Sequence, residues 1–152
     1  MSEPYYAPQV VSALLRYVKG WWAKLLFGIR SHFYDLKYYP CTEDQLETFL
    51  KYWRREVLPE LAYTPERFDC EDFAFLFKAL LVKHTGANCA FLAGGGVYEN
   101  DELLGLHGYN CVLLPSKVVF VEPQIGEVLE DRDGRIFAPD IEWEYRLLWV
   151  VG

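Results

Sequence analysis

The sequence is short of the residues that build metal and phosphate sites. It holds three histidines and four cysteines (Cys41, Cys70, Cys89 and Cys111) in 152 residues, with no C-x-x-C pair, so the ligand spacing of a structural zinc site is missing. It has no G-x-x-x-x-G-K-[ST] loop, no G-x-S-x-G elbow, no H-E-x-x-H helix and no internal repeat. The readiest signatures of nucleotide binding, of the α/β-hydrolases and of the zinc peptidases are thereby removed. Cations are also in deficit, 15 Lys and Arg against 22 Asp and Glu for a formal net charge of −7, which excludes a partner held mainly by phosphate neutralisation. Nucleic acid is not an expected partner.

Long apolar runs are lacking too. Arg16, Lys19 and Lys24 interrupt the one stretch that approaches the roughly 18 uncharged residues of a membrane span. Met1 is followed by Glu3, Pro4 and Tyr5 rather than by a basic start and an apolar run, so no signal peptide is read. The expected location is intracellular, away from membranes, with the cysteines mostly free thiols; a Cys41–Cys89 disulfide stays open.

What is present is apolar and aromatic: 52% hydrophobic residues and 17% Phe, Trp and Tyr. That suffices for one well-buried domain over residues 1–152. Residues 1–31, with four basic side chains against Glu3, read as a basic amphipathic helical extension. Its stripe of Val11, Leu14, Leu15, Val18, Trp21, Trp22, Leu25 and Ile29 predicts one helix over 10–29, packed on the domain rather than laid on a membrane. Thr42 with Gln45 predicts a capped second helix that Pro59 stops. Asp69 predicts the start of a third, running to about His84 with Gly86 as its stop.

Beyond Gly86 the pattern changes to short runs rich in Val, Phe and Tyr, with hairpin turns at Pro115-Ser116 and Asp133-Gly134; Gly94-Gly95-Gly96 and residues 99–105 read as loop. The fold class expected is α+β, N-terminal helices packed on a C-terminal antiparallel sheet. The five tryptophans read as mostly core.

One constellation stands out. A two-residue turn at Pro115-Ser116 pairs Tyr109 with Glu122 and sets His107 opposite Gln124, so that all four share a face. Cys70 opens the third helix, where the helix N-terminus and an imidazolium favour a thiolate over a thiol of pKa about 8.5. Cys70, His107 and Glu122 then read as nucleophile, base and orienting acid. The Cys70 N–H serves as one oxyanion donor, with Gln124, Trp53, Tyr63 or Tyr109 as further oxyanion or substrate contacts. The flanking Asp69, Glu71 and Asp72 oppose a thiolate, unless Asp69 and Asp72 hold a divalent cation.

Phe68-Asp69-Cys70-Glu71-Asp72-Phe73-Ala74, Leu106-His107-Gly108-Tyr109-Asn110 and Val121-Glu122-Pro123-Gln124 resemble the papain-like and transglutaminase-like cysteine peptidase superfamily, above all the papain-like domain of a fungal agglutinin and of phage or viral proteins. The resemblance spans roughly residues 34–128. It implies a papain-like core and hydrolysis or transfer of a peptide or amide acyl group through Cys70, His107 and Glu122, with calcium as a possible requirement. A peptidoglycan hydrolase is a second specificity. The alternative is a catalytically inactive binding or structural protein of the same fold, viral proteins included, which would take a partner in an aromatic groove or on the basic first helix.

Overall fold

The structure, a computed structural model, describes residues 3–152. A two-residue strand β1 (Tyr5–Tyr6) pairs antiparallel with β2 (Lys37–Tyr38), and between them lie helices α1 (Ala7–Leu15) and α2 (Trp21–Arg30). The single helix expected over 10–29 is therefore two. Gly20, the residue before α2, takes φ +81°, a conformation that glycine reaches without the Cβ penalty of other residues. The break divides the apolar stripe. Val10 and Leu14 of α1 are buried, as are Tyr17 and Val18 of the connecting turn, whereas α2 buries only Phe27 and turns Trp21, Trp22, Leu25 and Ile29 outward. The expected packing of the whole stripe on the domain is corrected for α2.

Local signals set the next two helices. Helix α3 (Glu43–Tyr52) starts in a capping box: the Gln45 N–H donates to Thr42 Oγ1 at 3.1 Å and the Thr42 N–H to Gln45 Oε1 at 2.9 Å. It continues through a π turn over Trp53–Val57 and ends in a 3₁₀ turn at Leu58–Glu60. Helix α4 (Cys70–Thr85) is capped by Asp69 and stopped by Gly86 at φ +67°.

The rest of the chain forms β3 (Ala90–Glu99), β4 (Glu102–Leu113), β5 (Val118–Glu122), β6 (Glu127–Val128), β7 (Glu130–Arg132), β8 (Arg135–Phe137) and β9 (Trp143–Val151). They make one antiparallel sheet in the order β6-β5-β4-β3-β9-β8-β7. Strands β6 and β7 stand at opposite ends of that order, yet only Leu129 separates them in the chain. The two edges meet there, and the sheet is rolled into a near-closed barrel. Tyr17, Tyr109, Phe120 and Tyr145 pack edge to face inside it, with centroids 4.8 to 6.0 Å apart. The expected papain-like core, N-terminal helices packed on a C-terminal antiparallel sheet, is corrected by this closure.

The triple glycine, expected as loop, is the middle of β3, because β9 crosses it too closely for side chains. A Cβ on Gly94 would lie 2.2 Å from Trp149 Cζ2, and one on Gly95 would lie 1.9 Å from the Arg146 carbonyl oxygen. Residues 99–105 likewise belong mostly to the β3–β4 hairpin, whose tip is formed by Asn100 and Asp101 at positive φ. Helix α4 lies against the outer face of β4. A Cβ on Gly108 would meet Glu71 Cα at 3.2 Å, and Asn110 Nδ2 donates to Ala74 O at 2.9 Å.

Ion pairs tie the N-terminal segment to the barrel. Arg16 and the Tyr17 hydroxyl both reach Asp131 Oδ2, at 3.0 and 2.8 Å. Lys19 Nζ lies 2.5 Å from Glu144 Oε1, and the buried Glu144 also accepts from Arg135 and Arg146. Cys41 and Cys89 are buried free thiols; Cys41 Sγ donates to Leu113 O at 3.8 Å, and Cys89 Sγ lies 3.8 Å from Thr85 Oγ1.

Candidate functional site

The β4–β5 register is the one that a two-residue turn dictates. Asn110 pairs with Val121 and Leu113 with Val118, and the Leu114 N–H donates to Lys117 O at 2.9 Å. Glu122 thus comes beside His107, whose Nε2 lies 2.6 Å from Glu122 Oε2. The carboxylate takes two more donors: the Tyr145 hydroxyl on Oε2 and the Gln124 N–H on Oε1, both at 3.1 Å. With a carboxylate on Nε2, the second ring nitrogen, Nδ1, is left as an acceptor. Tyr145 comes from β9, two strands from β4. Its ring meets that of His107 at 5.9 Å, edge to face.

His107, Glu122, Gln124 and Tyr145 line a cleft of about 360 Å³, within the usual size of a small-ligand site. Its other walls are Val97, Leu104, Ile125, Ala138, Ile141 and Trp143, and none of its lining residues is Lys or Arg.

Cys70 lies at the start of α4, against the stretch of β4 that holds Gly108 and Asn110. Cys70 and His107 line a second cleft together, with Arg30, Phe75 and Trp149 among its other lining residues. The thiol donates to Glu71 Oε2 at 3.3 Å. Burial, the Glu71 hydrogen bond and the charges of Glu71 and Asp69 raise the thiol pKa, against a lowering by the Gly108 backbone hydrogen bond. The protonated thiol is therefore favoured at neutral pH, contrary to the thiolate expected at this helix start.

The remaining expected contacts separate. Trp53 is wholly buried and spends its Nε1–H on Pro123 O at 2.8 Å, and Tyr109 is wholly buried inside the barrel. Neither reaches a ligand, which corrects both assignments. Tyr63 is exposed on the loop before α4. Asp72 Oδ2 accepts from the Asp69 N–H at 3.3 Å as part of the helix cap. The residues whose ligand atoms gather within 4.8 Å are instead Asp69, Cys70 and Glu71. The closeness of the two carboxyl groups raises the pKa of Asp69 and lowers that of Glu71.

Trp143 and Tyr145 have no counterpart among the expected site residues. Their alternation in β9 places them on one face, but nothing local says that β9 enters the centre of the sheet beside β3.

No family model and no curated protein sequence matches the chain. Solved structures do. One, described as the PSL1a–E64 complex, is 23% identical with a TM-score of 0.67 over 98% of this chain and 50% of its own. Another is a Polyporus squamosus lectin bound to the human-type influenza-binding epitope Neu5Acα2-6Galβ1-4GlcNAc, 24% identical with a TM-score of 0.52 over 81% of this chain and 42% of its own. The chain spans about half the length of the solved structures it matches, and the likeness is one of fold. The described neighbour is a lectin bound to a glycan, and against that likeness of fold the cysteine-peptidase resemblance read from the three motifs is corrected, with the thiol hydrolase and acyl transferase reading and the peptide substrate. Of the two expectations, the binding protein accords better with the fold neighbours.

Proposed function

We propose that the chain is a binding protein for an uncharged glycan, held in the cleft between Gln124 and Trp143. The observation that carries this reading is the make-up of that cleft: polar groups of Gln124, His107 and Glu122 together with apolar walls and the partly exposed Trp143. A pyranose offers a C–H face that packs on an aromatic ring and a rim of hydroxyls that pair with an amide, an imidazole and a carboxylate. The His107–Glu122–Tyr145 network holds these acceptors in place before a ligand arrives, which lowers the ordering cost of binding.

The sialylated epitope bound by the P. squamosus lectin supports a glycan as the ligand class. The lining of this cleft favours a neutral one, since a sialate carboxylate would meet Glu122 with no Lys or Arg beside it. Calorimetric titration with Galβ1-4GlcNAc and with Neu5Acα2-6Galβ1-4GlcNAc tests the reading. The disaccharide is expected to bind more tightly than the trisaccharide. Trp143→Ala is expected to weaken it by about tenfold, the weight of one aromatic contact. Absence of heat across a panel of neutral glycans, or equal affinity in Trp143→Ala, would overturn it.

A further inference from the structure

We propose that α2 is a membrane-surface helix that seats the chain on a bilayer containing anionic lipid. The helix is inside out by the standard of a packed globular protein. Phe27 is buried and Ala23 half-buried, while Trp21, Trp22, Leu25, Leu26 and Ile29 are exposed to 66, 61, 50, 41 and 66%. At 100° per residue these five share the side opposite Phe27. A contiguous outward apolar face of this kind marks an interaction surface.

Charge identifies the occupant. Lys24 and Arg30 are exposed on the two borders of the apolar face, and among the described residues neither is in an ion pair. Arg16 and Lys19, by contrast, are taken up by Asp131 and Glu144. Cations flanking an apolar face with paired tryptophans, here stacked at 3.8 Å, suit a bilayer boundary: the rings lie at headgroup depth and the cations reach lipid phosphates and carboxylates. A second copy of the chain fits worse. The sequence of α2 contains no acidic residue, so a two-fold pairing of α2 with itself would set cations against cations. The ten-residue helix lies on the bilayer; among the described residues no helix is long and apolar enough to cross a membrane.

The test is flotation of the full chain with vesicles of phosphatidylcholine alone and of phosphatidylcholine mixed with phosphatidylserine, both free of glycolipid so that the cleft plays no part. Binding to the mixed vesicles is expected, roughly thirtyfold stronger than to phosphatidylcholine, as two surface cations imply. Trp21→Gln with Trp22→Gln is expected to abolish flotation, and Lys24→Gln with Arg30→Gln to remove the preference for phosphatidylserine. All four side chains are exposed, and thermal melts check that each variant folds. If the tryptophan pair proves unfoldable, Ile29→Gln alone is expected to weaken binding several-fold. Failure to float with either vesicle would overturn the proposal. So would a concentration-dependent dimer in light scattering that the tryptophan variant disperses, which would give the face to a second copy. Neither result touches the glycan reading.

Discussion

Gly95→Ala puts the close crossing of β3 and β9 to a quantitative test. The new Cβ would stand 1.9 Å from the Arg146 carbonyl oxygen and 2.8 Å from its carbon. These are backbone atoms of a paired strand at the centre of the sheet, so no side-chain rotation relieves the contact and β9 has to move away from β3. Overpacking in a core costs about 1–3 kcal/mol, and a backbone clash belongs at the upper end. At roughly 2–4 °C per kcal/mol for a chain of this size, about 3 kcal/mol lowers Tm by roughly 6–12 °C. Gly94→Ala meets the Trp149 indole at 2.2 Å, a side chain with some room to swing, and is expected to lose less. Gly28→Ala meets nothing within 4 Å and lies inside α2, so relief of the helical glycine penalty is expected to add about 1 kcal/mol. Thermal unfolding followed by circular dichroism ranks the three. A Gly95→Ala protein that melts with its parent would show that residues 94–96 are loop after all.

Glu144 is held far below the usual carboxylate range by hydrogen bonds from Arg135, Lys19 and Arg146, against the opposing effect of burial. A depressed folded pKa gives stability that is complete above the unfolded value of about 4.3 and lost as pH falls below it. Melts between pH 7 and pH 3 are therefore expected to show a steep fall below about pH 4.3. Glu144→Gln is expected to flatten that fall and to cost about 2–3 kcal/mol at pH 7, its cations being partly exposed; a mutant as stable as its parent would refute this. For Cys70, whose thiol pKa is raised, alkylation by iodoacetamide at pH 7 is expected to be slower than that of free cysteine. Glu71→Gln should accelerate it and His107→Ala should leave it unchanged, with labelled peptides read by mass spectrometry. Rapid labelling of Cys70 near pH 6 that His107→Ala abolishes would instead show a working thiolate–imidazolium pair.

Much of the local structure was legible in the order of residues because its causes are local. Thr42 and Gln45 cap a helix within one turn, Asp69 and Gly86 bound another, and Pro115-Ser116 sets a register that carries Glu122 to His107 by counting residues alone. Asp133 and Gly134, both at positive φ, likewise make the turn that their sequence announces.

The rest depended on contacts between residues far apart in the chain. Gly94-Gly95-Gly96 has the composition of a loop, and pairing with β4 on one side and with β9, some fifty residues later, on the other makes it a strand. The passage of β9 also brings Tyr145 to Glu122 and Trp143 to the cleft, so half of the candidate site had no nearby signal. The N-terminal stripe is one helix by periodicity, but Gly20 allows a turn, and Arg16 and Lys19 find Asp131 and Glu144 across it, which aims α2 outward. The helix start places Cys70, but only packing brings α4 against β4 and so sets Cys70 and His107 on the walls of one cleft. Periodicity determines which residues share a face of one element; which face meets which is decided by packing.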